Sequence, residues 1–186
     1  AICVSKIRQT LGFNIPLMLD LACPNDPNVS LKLAPLVKEF KPYWFEEPVD
    51  GEATRALKEI KNQTGLRIVT GEKQCGINHF IETLAADAVD IFNPDISSVG
   101  GIIDMIKIIE LSHKKNVKVS PHCWNSMSIA ASAMIHLCMS FPNTEMAEFF
   151  PEYIPYTLKF CNKNFEINNG FIELDNREGI GVKIDT

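Results

Sequence analysis

The stretch YWFEEPVDG, residues 43–51, decides the fold. Its aromatic run closes on turn formers, which reads as a short buried strand. Two carboxylates, Glu46 and Glu47, stand at the end of that strand, where ionised groups are costly unless something compensates them. Neighbouring strand residues point to opposite faces, so the two acids face different surroundings. Glu47 is expected to make a loop or helix-cap contact.

The chain alternates on either side of this strand. Upstream, AICVSKIRQTLG (1–12) reads as the end of a helix and IPLMLD (15–20) as a strand. NVSLKLAPLVKEF (28–40) reads as a helix kinked or broken at Pro35. Downstream, GEATRALKEIKNQTG (51–65) puts Ala53, Ala56, Leu57 and Ile60 on one helical face and closes on Gly65. RIVTGE (67–72), VDIFNPD (89–95), VKVSPH (117–122) and EMAEFF (145–150) read as further strands. NHFIETLAADA (78–88), GGIIDMIKIIELSHKKN (100–116) and SMSIAASAMIHLCMSF (126–141) read as the helices between them. Largely apolar strands alternating with helices predict parallel βαβ units, with six parallel strands over residues 1–150. After Pro151 the alternation stops. NFEINNGFIELDNREGIGVKID (164–185) reads as two or three short strands around Gly170, so residues 151–186 form an appended tail.

Bulk composition narrows the class. The chain has 186 residues, 46% hydrophobic and 22% charged, with a net charge of −5. That is the composition of a globular protein, and its acidity argues against a nucleic-acid partner. No apolar run reaches membrane-spanning length, and the opening residues lack a secretory pattern. Six cysteines (Cys3, Cys23, Cys75, Cys123, Cys138 and Cys161) include no Cys-x-x-Cys pair. In a chain this size they read as reduced thiols of a cytoplasmic protein. His122 and Cys123 are adjacent and would face opposite ways on a strand, which weakens a shared zinc site.

The repeat lies in the ionisable residues. Asp20, Glu46, Glu72, Asp95, His122 and Glu148 stand at strand ends, separated by 26, 26, 23, 27 and 26 residues. In a parallel α/β fold these carboxyl ends converge on the face where ligands bind. Three carboxylates meeting without basic partners would repel one another. A hard divalent cation relieves that, and all-oxygen ligation suits Mg²⁺. An imidazole beside an aspartate, as His122 and Asp95 would be, is suited to moving a proton.

LMLD (Asp20), WFEEP (Glu46), VTGE (Glu72), FNPDISSVGGI (Asp95) and VSPH (His122), taken in order, resemble the mandelate racemase-like subgroup of the enolase superfamily. The resemblance runs over residues 10–186. It implies a (β/α) TIM-type barrel, present here as about six of its eight strands, with residues 151–186 belonging to the capping domain. It implies that Asp20, Glu46 and Glu72 bind Mg²⁺ and that Asp95 and His122 form the acid/base dyad. Glu148 would hydrogen-bond a carboxylate or enediolate oxygen of the substrate. The reaction implied is removal of the proton α to a carboxylate through an enediolate. Dehydration of an acid sugar ranks first, racemisation or epimerisation of a 2-hydroxy acid second, and a non-catalytic truncated fragment third. The implied partner is a small carboxylate, with no membrane or nucleic acid, and the full-length form is expected to be a homo-oligomer.

Two departures stand out. Ala22 occupies the position, two after the first acid, where the family commonly has Asn. The family's N-terminal capping region, first barrel strands and Lys-x-Lys strand have no counterpart before Asp20, which predicts a portion of a longer protein. Lys73 and Lys118 support a rival reading, a Schiff-base aldolase on the same barrel class, but it leaves the three acids unexplained. Gly100 and Gly101 read as a tight turn into a helix. His79, His113 and His136 read as surface or core residues, and Trp124 as either a pocket wall or rim filler.

Overall fold

The computed structural model describes residues 1–124, 126, 128–162 and 165–184. Met127 of the sixth predicted helix, and Asn164 and Asp185 of the predicted tail strands, lie outside the described residues. Helix α1 (Ile2–Leu11) leads into β1 (Met18–Asp20), α2 (Pro27–Val37), β2 (Trp44–Glu46) and α3 (Thr54–Thr64). Then come β3 (Ile68–Thr70), α4 (Asn78–Ala85), β4 (Ile91–Phe92), α5 (Gly101–Lys114), β5 (Lys118–Val119) and α6 (Ser128–Ser140). The strands form one parallel sheet in the order β1-β2-β3-β4-β5, so each βα unit lays its strand beside the last.

Local chemistry accounts for the helix limits. Asp26 caps α2 by accepting the Asn28 N–H at 2.9 Å, with Pro27 in the first turn. Pro35 neither breaks nor ends α2, which continues to Val37. It lies on the exposed side, where water can meet the carbonyl that its missing N–H leaves free. Helix α3 stops at Gly65, whose φ of 61° is the left-handed cap conformation. Near the start of the chain Arg8 is almost wholly buried. Its guanidinium donates to the carbonyls of Gly12, Ile15, Phe40 and Lys41, tying α1 to the turn before β2.

The sheet has two unlike faces. Phe45, Leu57, Ile60 and Ile68 pack between strands and helices, and Phe92, Met105, Ile108, Ile109 and Val119 continue that layer. Trp44, Val69 and Ile91 form a smaller cluster on the other face, with Met18 and Met146 against it. Strand alternation therefore puts Asp20 and Glu46, register partners at the ends of β1 and β2, on the face away from the helices.

The predicted sixth strand, 145–150, is a correction. Residues 144–148 run beside β5, joined by the Val119–Thr144 bridge, the Glu145 N–H to Val119 C=O bond (2.9 Å) and the Glu148 N–H to Pro121 C=O bond (3.3 Å). The ladder stops because the next rung needs an N–H from residue 121, which is Pro121 and has none; the Ser120 hydroxyl instead donates to the Met146 carbonyl at 2.7 Å. The sheet thus has five strands, and among the described residues it stays open at β1. Beyond it lie the short α7 (Ile154–Thr157) and an antiparallel hairpin of β6 (Phe165–Asn168) and β7 (Phe171–Leu174). Asn169 and Gly170 turn the hairpin, both at positive φ (52° and 81°), as a tight two-residue turn requires. Phe165, Ile172 and Leu174 pack with Met134 and Ile135 of α6. No helix among the described residues is long and apolar enough to cross a membrane.

Candidate active site

Five of the six predicted site residues sit at or just beyond the end of a strand, and Glu148 lies in the irregular run beside β5. Asp20 ends β1, and its Oδ1 accepts the Ala22 N–H at 2.8 Å. Glu46 ends β2 between two neutral donors: Trp44 Nε1–H reaches Oε2 at 2.9 Å and Asn93 Nδ2–H reaches Oε1 at 2.7 Å. Glu72 follows Gly71, whose φ of 141° turns the chain out of β3. Its oxygens lie 3.7 Å from Lys73 Nζ and 3.6 Å from His122 Nε2.

Asp95 and His122 are brought together by the backbone. A parallel bridge links them, and the His122 N–H donates to the Pro94 carbonyl at 3.2 Å. Their side chains then meet, Nδ1 to Oδ2, at 2.7 Å. Asp95 also accepts the Ser97 N–H at 2.7 Å. Burial pushes the Asp95 carboxyl up, but its bonds to His122 and Ser97 outweigh that and hold it below the ordinary aspartate value. Burial pulls His122 down, yet the Asp95 bond and the charges of Glu148 and Glu72 leave it raised. The imidazole is thus oriented through Nδ1, while Nε2 faces Glu72 at 3.6 Å and Glu148 at 3.7 Å. Glu148 is anchored by the Cys123 N–H at 2.8 Å.

All the predicted site residues except Asp95 line one hollow. Asp20, Glu46, Glu72, Lys73, His122, Trp124 and Glu148 surround a cavity of about 370 Å³. A second, of about 320 Å³, shares Asp20, Glu46, His122 and Glu148 and extends over Met18, Trp44, Asn93 and Ser120. Acids dominate the lining, and the effect shows on Glu46. Burial, then the charges of Asp20, Glu148 and Glu72, push its carboxyl up to about 7. Burial, followed by the charge of Glu47, also raises Glu72.

Asp20, Glu46 and Glu72 share that cavity without closing on a point. Among the described residues, no three His, Cys, Asp or Glu side chains are gathered closely enough to hold a metal ion between them. The donor set nevertheless fits a hard divalent cation. Its oxygens are carboxylate, and the mutual repulsion that adds to burial in raising Glu46 is what such a charge relieves.

Sequence reasoning missed several neighbours. Glu47 points away from Glu46 and contacts loops, as expected, those after β1 and β3, but it is far more buried than a loop residue. It is 0% exposed and accepts from Thr70 Oγ1 (2.8 Å), the Gly71 N–H (2.9 Å) and Cys23 Sγ (2.6 Å). Trp44 and Asn93 were legible in period-2 alternation, each lying two residues before a site residue. Lys73 reaches the cavity because the chain bends at Gly71, whereas Lys118 does not line it. Trp124, 63% exposed, is a wall of the cavity and stacks edge-on against Phe150. His79 faces Glu52 at 3.5 Å, away from the site acids.

Comparison with known proteins is consistent over the whole chain. A family model described as enolase C-terminal domain-like matches residues 2–186. L-talarate/galactarate dehydratase of Salmonella typhimurium is 26% identical over 181 residues, covering 97% of this chain and 43% of that protein. The crystal structure of an enolase from Sargasso Sea environmental shotgun sequencing matches with a TM-score of 0.93 and 48% identity, over 98% of this chain and 48% of that one. The mandelate racemase/muconate lactonizing enzyme of Jannaschia sp. CCS1 matches with a TM-score of 0.90 and 25% identity, over 98% and 46%. The chain spans about half the length of the relatives it matches.

Proposed function

The chain belongs to the enolase C-terminal domain-like family, and on that premise we propose that the protein carrying it removes the proton α to a carboxylate and dehydrates acid sugars. The observation that carries this reading is the Asp95–His122 pair, 2.7 Å apart, with Nε2 turned into an acid-lined cavity. Asp20, Glu46 and Glu72 would hold Mg²⁺, which supplies positive charge to stabilise the oxygens that become negative as the proton leaves.

This chain's own residues do the rest. Asp95 accepts Nδ1–H and so leaves the Nε2 lone pair facing the cavity. Nε2 takes the α-proton, and the C–H electron pair passes into the enediolate of the substrate. The protonated imidazole then delivers a proton to the departing β-hydroxyl, which leaves as water. The resulting enol tautomerises to a 2-keto-3-deoxy acid. Glu148, fixed by the Cys123 N–H, faces the same cavity and contacts a substrate oxygen. The rest of the protein completes the barrel beyond the open edge at β1, and residues 151–186 join its cap. We place the enzyme in the cytoplasm, a setting in keeping with its free cysteines, and expect a homo-oligomer from the family resemblance.

Incubating the full-length protein with aldonic and aldaric acids tests this. A 2-keto-3-deoxy product is expected from at least one of them, lost on chelation and restored by Mg²⁺. Inversion at the α-carbon without loss of water would replace dehydration with racemisation. Turnover indifferent to a chelator would overturn the metal reading.

A further inference from the structure

We propose that Trp44 and Asn93 form a neutral clamp that sets the Glu46 carboxylate for cation binding, an inference resting on the metal role given to Glu46 above. Each oxygen has its own donor, Trp44 Nε1–H on Oε2 at 2.9 Å and Asn93 Nδ2–H on Oε1 at 2.7 Å. The donors come from different strands: Trp44 lies in β2, and Asn93 directly follows β4. A carboxylate held by one donor can still turn about its Cγ–Cδ bond. Held on both oxygens from two strands, it has one orientation.

The chemistry of the donors matters as much as their number. Trp44 is 9% exposed and Asn93 2%, so both donors are held in the interior while Glu46 opens on the cavity. A lysine or arginine in either place would neutralise Glu46 and compete with a divalent cation. Indole and amide N–H groups each take one lone pair and leave the negative charge available. The other two acids are held differently. Asp20 is tied by a backbone N–H, and Glu72 meets Lys73 and His122 at 3.7 and 3.6 Å, beyond hydrogen-bond distance. Glu46 is therefore the fixed member around which the others arrange. Asn93 keeps this bond although its own Oδ1 is buried without a partner among the described residues, which is a cost to the fold.

The test is Mg²⁺ titration calorimetry on metal-free full-length protein, unaltered and as Trp44→Phe and Asn93→Leu. Both substitutions remove the donor; Asn93→Leu keeps the number of side-chain heavy atoms, and Trp44→Phe keeps an aromatic ring while giving up part of the indole volume. Each should weaken Mg²⁺ binding by about 10- to 100-fold, the usual cost of losing a residue that orients a metal ligand. Thermal unfolding in chelator separates positioning from support: a merely structural role lowers the metal-free melting temperature and leaves the affinity of the folded protein unchanged. Should Asn93→Leu fail to fold, Asn93→Ala takes its place. Unchanged affinity in both variants overturns the clamp while leaving the metal reading standing. Absence of Mg²⁺ binding in the unaltered protein overturns both.

Discussion

Replacing His122 with asparagine should cut turnover of the full-length enzyme by about 10²- to 10⁴-fold, the usual worth of a positioned general base. Asparagine can still hydrogen-bond Asp95, so the local fold survives, but it offers no basic lone pair to the cavity. The fall should appear in kcat and not as a modest rise in KM, because the proton transfer is realised only in the transition state. Mg²⁺ affinity should stay close to that of the unaltered protein, since His122 is not among the three proposed metal ligands. Asp95→Asn should lose less. It leaves an imidazole in place, although one poorly oriented and without the partner that helps raise it. Steady-state kinetics and calorimetry on the same preparations check both halves. Equal losses in the two variants would mean that the pair acts only as a structural bridge.

Glu47→Ala should be the most destabilising single change near the site, at about 3–5 kcal/mol by urea unfolding. The carboxyl is 0% exposed and accepts from Thr70, Gly71 and Cys23. Truncation strands the Thr70 and Gly71 donors where water cannot reach and leaves a cavity besides. Arg8 supplies a contrast: the carbonyls it binds at Gly12, Ile15 and Lys41 belong to residues at the surface, where water can replace a lost guanidinium. Glu47→Gln keeps an acceptor for Thr70 and Gly71 and should cost about 1–2 kcal/mol. A Glu47→Ala protein as stable as the original would mean that the buried carboxyl holds nothing together.

The architecture was legible because it rests on periodicity. Leu57 and Ile60 mark the buried face of α3, and Gly65 marks its end. The strand-end acids other than Asp95 line one hollow, and the backbone bridge between Asp95 and His122 brings their side chains together. Other features depend on tertiary contacts that spacing does not encode. EMAEFF has the look of a strand, but the neighbouring strand offers Pro121, with no N–H, where the ladder needs its next donor. Glu47 looks like a loop residue because its donors come from β3 and from the loop after β1, far away in sequence. Pro35 signals a break, yet an exposed turn near the end of α2 tolerates it. The three acids face one cavity as their spacing predicts, while the distances between them depend on side-chain rotamers.

The most direct measurement is deuterium exchange at the α-carbon of a turned-over sugar acid, followed by proton NMR in D₂O with the full-length protein. Nε2 of His122, poised in the cavity by Asp95, should exchange its proton with solvent while the enediolate exists. The expected result is loss of the α-proton signal with the unaltered enzyme and its retention with His122→Asn. Exchange that persists undiminished in His122→Asn would contradict this, because the proton would then be leaving by way of another base.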